Sequence, residues 1–230
     1  MKDLMKTLAT VALAFAISTT CSAQEQEAKL DNQWLVKYNT NASKKLDGPY
    51  SLQNSDKAII RGALSDGQRK GNWFAFTKDG GVFARYNYDT NQLLEMDQEE
   101  ITKALIDVKA PDKEIASNAR ISFPLMSIDY LTDYMKEQIE KTVPSQYRTQ
   151  DQIIPAEITV KIDKQGEARY QATYIVNNKE YMPKLKVDEK LLEIDWIPAE
   201  FKGEKYDSEY KIYTELRFED APDHRRVIWN

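Results

Sequence analysis

Few residues in this sequence combine the types and the spacing that enzymatic chemistry requires. His224 is the only histidine, and it directly follows Asp223. A serine–histidine–aspartate hydrolase would need this imidazole to be held rigidly against a nucleophile. A histidine near a chain end, close to Pro222 and Arg225, is more typical of a solvated tail. We therefore expect no hydrolytic triad.

Paired carboxylates are the second candidate for chemistry. Glu99 and Glu100 are adjacent in sequence, and adjacent side chains on a helix point in different directions. Acidic residues in such a position suit the positive N-terminal end of a helix. The chain has 37 acidic residues, so a glycosidase pair remains an alternative, although no two of them stand out.

Thiol, metal and phosphate chemistry are disfavoured as well. The only cysteine is Cys21, so the chain lacks the usual set of zinc ligands, and no aspartate-rich loop has calcium spacing. Gly80 and Gly81 fit a hairpin turn, because no Gly-Lys-Ser/Thr follows them as in a phosphate-binding loop. We expect no catalytic residue, no metal site and no cofactor.

The first 23 residues have the three-part layout of a secretory signal peptide. Lys2 and Lys6 form a basic start, an apolar run covers residues 8–17, and small or polar residues lead to Ala23. The run is about half as long as the roughly 20 apolar residues that a membrane span needs. Cleavage after Ala23 predicts an exported, periplasmic protein. The alternatives are a secreted protein and a lipid-anchored one, in which Cys21 is acylated.

The composition restricts the partners of the remaining chain. The net charge of the full sequence is −5 and becomes −6 without Lys2, Asp3 and Lys6, so the chain has no reason to bind nucleic acid or an anionic membrane surface. With Cys21 removed no disulfide forms, and stability depends on the apolar core. The 13 tyrosines, 7 phenylalanines and 4 tryptophans are ample for a core. We expect Trp73 and Trp196 to be core anchors and not ligand platforms.

Short strands and tight turns dominate the first half of the chain. A polar lead with one short strand is predicted over 24–45, and a series of hairpins over 46–95. The step Asp66-Gly67 allows the positive φ angles of a tight hairpin. Residues 46–95 resemble the MORN-type β-hairpin repeats of YwqK-like bacterial proteins, and the shared motifs lie between Asp66 and Leu93. That resemblance implies a meander of hairpins.

A helical connector is predicted over residues 96–120. Asp97 is a suitable N-cap for a helix. The apolar side chains of Ile101, Leu105 and Val108 then recur at the three- and four-residue spacing of one helix face.

The second half of the chain begins with an amphipathic helix and a hairpin. The helix is predicted to start at Ser127 and to end near Pro144. A strand at 158–162, the turn from Asp163 to Gly166 and a strand at 168–176 predict the hairpin. A short helix over 187–193 and a last strand at 210–218, with alternating apolar and polar side chains, follow.

Residues 121–220 resemble the C-terminal domain of TonB-like energy transducers. The shared motifs are Phe123-Pro124, the Asp163-x-x-Gly166 turn, the block Trp196-Ile-Pro-Ala199, Lys202-Gly203 and the final strand at 210–218. The resemblance implies a small α+β domain with a three-stranded antiparallel sheet and one or two helices. With the hairpins upstream, the predicted fold class is α+β, and residues 221–230 form a tail.

In that family the domain binds outer-membrane receptors by adding a receptor segment as a strand beside its own final strand. An unpaired strand edge presents a row of backbone donors and acceptors for such pairing. The residues that would flank this edge are Lys211, Tyr213, Glu215 and Arg217. The true transducers have an uncleaved membrane anchor and a proline-rich spacer, which are not expected here, so energy transduction is disfavoured.

The sequence therefore predicts an exported, non-catalytic protein-interaction module that binds a protein partner by edge-strand addition. The partner is an outer-membrane receptor segment or a second copy of the chain. A self-associating structural protein of the envelope is the first alternative, and a glycan-directed hydrolase is a less favoured one.

Overall fold

A computed structural model of the protein describes residues 25–30, 32–149, 152–187, 191–192 and 194–218. The predicted signal peptide with Cys21 and the tail with His224 lie outside these residues. Most of the described chain forms antiparallel strands, with a few helices. The fold is thus closer to all-β than the predicted α+β class.

The first sheet is a seven-stranded antiparallel meander, in which each strand pairs with the next one along the chain. Its strands are β1 (Gln26–Lys29), β2 (Leu35–Thr40), β3 (Leu46–Asn54), β4 (Lys57–Ser65), β5 (Gln68–Phe76), β6 (Val82–Asn87) and β7 (Gln92–Met96). The predicted hairpins over 46–95 are present, and the polar lead contributes two strands where one was expected. Asp66 and Gly67 have the positive φ angles, 53° and 84°, that their sequence predicted.

Trp73 anchors one face of this meander. Its side chain is 1% exposed, which confirms the prediction of a core role. The ring lies directly on Gly62, where an added Cβ would be 2.2 Å from the indole. The indole Nε1 donates a hydrogen bond to the carbonyl oxygen of Ala63 at 3.1 Å. A glycine in the neighbouring strand therefore makes room for the largest side chain of the sheet.

The connector after the meander differs from its prediction. It consists of α1 (Gln98–Ile101), β8 (Leu105–Val108) and α2 (Lys113–Asn118). Asp97 caps α1 as expected, and accepts hydrogen bonds from the N–H groups of Glu99 and Glu100. The prediction of one helix through Val108 is wrong, because Leu105–Val108 pairs with the last strand of the protein. The apolar spacing of these four residues is compatible with a helix and with a strand, and their pairing with the last strand determines that they form a strand.

The second sheet has six strands where three were expected. They are β8, β10 (Ile153–Ile162), β11 (Ala168–Val176), β12 (Lys179–Tyr181), β13 (Lys184–Leu185) and β17 (Ser208–Arg217). The order is β12-β11-β10-β17-β8, and β13 also pairs with β11. The predicted hairpin and final strand form its centre. The additional strands are short segments that pair with the outer edges of β11 and β17.

A single long helix, α3 (Ile128–Thr142), lies in the core shared by the two sheets. It begins after Ser127, as predicted, and the Ser127 hydroxyl accepts the N–H of Tyr130. The predicted apolar stripe is buried, and it consists of Ile128, Leu131, Met135 and Ile139. Tyr130 and Tyr134 are buried as well, with ring centroids 5.9 and 5.8 Å from that of Trp34. These aromatic contacts join α3 to the meander.

Short paired segments complete the structure. β9 (Phe123–Pro124) pairs with β14 (Trp196–Ile197), and β15 (Ala199–Phe201) pairs with β16 (Glu204–Tyr206). A 3₁₀ turn (Ser145–Tyr147) follows α3. Residues 188–190 and 193 of the predicted short helix lie outside the described residues. Within the described part of the chain, no helix has the length and apolar character needed to cross a membrane.

Candidate partner-binding edge

The four residues predicted to flank a binding edge share one face of β17. Lys211, Tyr213, Glu215 and Arg217 point away from the core, and Tyr213 is 63% exposed. The alternate side chains are buried on the other face, and they include Tyr210, Ile212 and Leu216. This alternation is the one that the sequence predicted for a half-buried strand.

The outer edge of β17 is divided into two halves. β8 covers the first half, where Ser208 to Lys211 pair with Val108 to Leu105. β10 pairs with the whole of β17 on the other side, from Ser208 to Arg217. Beyond Lys211, no strand of the described chain pairs with the outer edge. Lys211 therefore belongs to the covered half, whereas Tyr213, Glu215 and Arg217 belong to the open half.

The hydrogen-bonding pattern shows which backbone groups face the open edge. In an antiparallel pair, every second residue directs both its N–H and its C=O toward the same neighbour. The N–H of Lys109 donates to the carbonyl oxygen of Asp207 at 2.8 Å, just before the register of β17 with β8 begins. Odd-numbered residues of β17 therefore face the β8 side. The groups of Tyr213, Glu215 and Arg217 point toward the open edge.

The turn between β10 and β11 independently indicates that the odd-numbered residues of β17 face the β8 side. The N–H of Asp163 donates to the carbonyl oxygen of Glu167 at 3.1 Å, so odd residues of β10 bond to β11 and even ones bond to β17. The even residues of β10 pair with even residues of β17. Pro155 is odd, so its missing N–H leaves the β10–β17 ladder intact.

The dimensions and surroundings of the open half suit a short added strand. Tyr213 to Arg217 extends over about 14 Å at the usual rise of an antiparallel strand. Exposed apolar side chains lie on the same face, since Ile153 is directly opposite Arg217 and is 49% exposed. An incoming segment would therefore meet both free backbone groups and apolar surface.

A carboxylate on β10 organises the polar groups where the covered half meets the open half. Lys211 donates to Glu157 through Nζ at 3.2 Å, and Thr159 donates to the same carboxylate at 3.1 Å. Burial raises the pKa of Glu157, but hydrogen bonds from Lys211, Tyr213 and Thr159 outweigh it and hold this pKa below its ordinary value. The hydrogen bond to Glu157 raises the pKa of the Tyr213 hydroxyl. Further along, Arg217 pairs with Glu215 at 2.8 Å.

The motifs shared with TonB-like domains, although distant in sequence, contact one another in the structure. β9 pairs with β14, which brings Phe123-Pro124 against Trp196-Ile197. Gly166 has a φ of +89°, and a Cβ there would be 2.4 Å from the carbonyl oxygen of Trp196. The indole of Trp196 is 2% exposed, as expected for a core anchor, and donates to the hydroxyl of Tyr170 at 2.8 Å.

A polar cluster between the two sheets was not predicted from the sequence. Arg69 and Tyr88, from the meander, both contact the carboxylate of Asp195. The Arg69–Asp195 distance is 2.5 Å, and the guanidinium lies 4.7 Å from the centroid of the Trp73 ring. Burial, opposed by Arg69 and reinforced by Asp195, raises the pKa of Tyr88. No local sequence pattern identifies partners that are more than 100 positions apart.

The adjacent carboxylates Glu99 and Glu100 do not form a converging pair. Glu100 is 4% exposed, and its carboxylate accepts the N–H of Asp129 at 2.9 Å at the start of α3. Lys103 neutralises it at 2.5 Å. Glu100 therefore caps the N-terminus of α3. Among the residues that the structure describes, no three or more histidine, cysteine or acidic side chains are grouped to hold a metal.

Comparison with known protein families, with curated proteins and with solved structures found no match for this chain. The TonB-like and MORN-like resemblances therefore rest on the sequence motifs alone.

Proposed function

We propose that this protein is an exported, non-catalytic interaction module that binds an extended segment of a partner protein at the open half of β17. The observation that carries the proposal is the edge from Tyr213 to Arg217, whose backbone groups have no pairing strand in the described chain. Strand addition at such an edge obtains affinity from main-chain hydrogen bonds and specificity from alternate side chains.

The resemblance of residues 121–220 to TonB C-terminal domains supports the same mode of binding. A helix, a hairpin and a final strand follow one another as α3, β10–β11 and β17. In that family the receptor segment is added beside the final strand, which corresponds to the position of the open edge. The meander of hairpins similarly supports the proposed MORN-like character of residues 46–95.

The side chains along the open half define the partner segment that fits best. Residues that lie directly opposite each other in an antiparallel pair have side chains on the same face. Opposite Glu215 the edge favours a basic residue, and opposite Arg217 an acidic one. Opposite Tyr213 it favours an aromatic or β-branched residue, because such cross-strand pairs stabilise a sheet.

A proline substitution at the open edge tests the proposal. Glu215→Pro removes an N–H that faces the open side, whereas Glu215→Ala removes the same side chain and keeps that N–H. Thr214→Pro is unsuitable, because the N–H of Thr214 faces β10, and its loss would disrupt the folded sheet.

The experiment captures outer-membrane proteins on the immobilised mature protein. We expect Glu215→Ala to retain most of the wild-type capture and Glu215→Pro to lose it, with both variants folded by circular dichroism. Equal capture of the same proteins by both variants would contradict strand addition at this edge.

A symmetric dimer is the second candidate, and one observation favours it. Glu215 and Arg217 have opposite charges and lie two positions apart on one face. Two copies of β17, paired antiparallel about Leu216, would place each Glu215 opposite the Arg217 of the other copy. Such an isologous contact closes with two-fold symmetry.

Light scattering over a range of concentrations separates the two candidates. Self-pairing is supported if the protein is a dimer that Arg217→Glu weakens and the double variant Glu215→Arg/Arg217→Glu restores. A strict monomer at high protein concentration excludes self-pairing and leaves the partner segment as the occupant.

A further inference from the structure

A basic cavity lies on the outer face of the second sheet, away from the open edge. Its volume is about 710 Å³, and four of its lining residues are cationic, namely Lys161, Arg169, Lys184 and Lys186. None of the lining residues is acidic. This concentration of positive charge contrasts with the net charge of −5 of the whole chain.

Two of the cations are directly opposed in the sheet. Lys161 of β10 pairs in register with Arg169 of β11, so their side chains lie on the same face. Like charges in directly opposite positions destabilise an antiparallel pair. Lys184 enters from β13, where it is opposite Gln171, the next residue of β11 on that face. The fold thus assembles three cations from three strands.

Carboxylates of the described chain lie only beside the end of this cluster that Lys161 and Arg169 form, where these two cations also line a neighbouring depression with Asp163, Glu167, Asp207 and Glu209. Glu209 is the ion-pair partner of Lys161, at 3.9 Å. For Arg169, Lys184 and Lys186 the described residues provide no carboxylate within ion-pair distance. An oxyanion between Lys161 and Arg169 would remove their repulsion, and the Arg169 guanidinium can bind phosphate or carboxylate in a bidentate manner.

The cavity also has an apolar side, which restricts the size and type of ligand. Leu185, Val187 and Tyr170 border it where β13 pairs with β11. A volume in this range is typical of small-molecule sites, in which a few placed polar groups provide orientation. We propose that the cavity binds a small molecule, or a lipid headgroup, that carries two or more phosphate or carboxylate groups. This proposal is independent of strand addition at β17.

Calorimetric titration with tripolyphosphate and flotation with vesicles that contain cardiolipin, whose headgroup carries two phosphates, test the proposal and distinguish the two sources. The double variant Arg169→Gln/Lys184→Gln removes two cations of the cavity. The control Lys113→Gln/Lys205→Gln removes two exposed cations elsewhere. We expect binding to weaken about tenfold in the first variant and to remain unchanged in the control. Binding should also weaken as salt is added.

The melting temperatures of the same variants, measured without ligand, show whether a loss of binding is due to a loss of folding. Because Arg169 opposes Lys161, its replacement should not lower the melting temperature of the ligand-free protein. Binding to tripolyphosphate identifies a free anion as the ligand, and binding to the vesicles alone identifies a headgroup. Absence of both, or equal weakening in the control variant, would overturn the proposal.

Discussion

The two halves of β17 have the same alternation of side chains but use their outer edge differently. At Glu209 and Lys211 the backbone groups pair with β8, a strand supplied by the connector between the sheets. At Tyr213, Glu215 and Arg217 no strand of the described chain pairs with the equivalent groups, because β8 begins only at Leu105. The connector thus closes as much of the edge as its four-residue strand can reach. The remainder is a geometrically defined place for an additional strand.

The edges of the first sheet provide a second contrast. Its outer strands, β1 and β7, have only 4 and 5 residues, and a register shift interrupts the pairing of β7 with β6. Short edge strands and bulges are common means of preventing unwanted pairing. β17 has 10 residues, and its register with β10 is continuous. Its open half is therefore the better template for a partner strand.

The largest expected loss of stability follows from disturbing the contact between the Gly166 turn and the Trp196 carbonyl. Gly166→Ala places a methyl group against the Trp196 carbonyl and puts alanine at a φ of +89°. We expect a loss of about 3 kcal/mol in the free energy of unfolding, measured by urea denaturation. Gly203→Ala is the control, because its φ is also positive and no atom lies within 4 Å of the added Cβ. Equal losses in both variants would show that backbone strain, and not the contact with Trp196, determines the cost.

Proline substitutions compare the two halves of β17 directly. Lys211→Pro removes an N–H that pairs with Leu105, so we expect it to cost about 2 kcal/mol. Glu215→Pro removes an N–H that faces solvent, and its cost should stay below about 1 kcal/mol. Chemical denaturation of both variants measures the difference. If Glu215→Pro is the more destabilising variant, the division of the edge into covered and open halves is wrong.

The polar cluster between the sheets should have a smaller effect. Asp195→Asn removes the charge that neutralises Arg69, whose side chain is 14% exposed. We expect a loss of about 1.5 kcal/mol in the free energy of unfolding, because the largely buried guanidinium loses its charged contact with Asp195. The exposed pair Lys78–Asp133 serves as a control, since Asp133→Asn should cost less than about 0.5 kcal/mol. A negligible effect of Asp195→Asn would mean that apolar packing alone couples the sheets.

The smallest expected effect is the pH dependence of the Glu157 contacts. Because its pKa is lowered in the folded state, Glu157 contributes stability above its ordinary pKa of 4.5, and this contribution is lost as the pH falls through the folded value. The difference in stability between wild type and Glu157→Gln should decrease by about 0.5 kcal/mol as the pH falls through this region. Urea denaturation at several pH values measures this. An unchanged difference would show that the carboxylate does not bind Lys211 and Tyr213 in solution.

Local chemistry explains why parts of this fold were predictable from the sequence. Asp66-Gly67 specifies its own turn, and the Ser127 cap with the stripe of α3 specifies a helix within one segment. Leu105–Val108 was predicted to be helical because a segment of four residues is too short to distinguish helical from strand periodicity. Its pairing with β17 is what makes it a strand.

The candidate site was predictable to a similar extent. The outward face of Lys211 to Arg217 followed from alternation, but the coverage of Lys211 depends on a strand about 100 positions away. Arg69 and Asp195 are likewise more than 100 positions apart and are brought together only by the tertiary structure. The opposed cations Lys161 and Arg169 carried a signal in the sequence, since the hairpin register determines their pairing.

Amide hydrogen exchange along β17, followed residue by residue by NMR, tests the open edge most directly. The structure predicts slow exchange at Glu209 and Lys211, whose N–H groups bond to β8, and at Ile212, Thr214 and Leu216, which bond to β10. It predicts fast exchange at Tyr213, Glu215 and Arg217 in the monomer, and protection of these three when a partner segment binds. Protection of the three amides in the isolated monomer, equal to that of their even-numbered neighbours, would contradict the open edge and the function proposed for it.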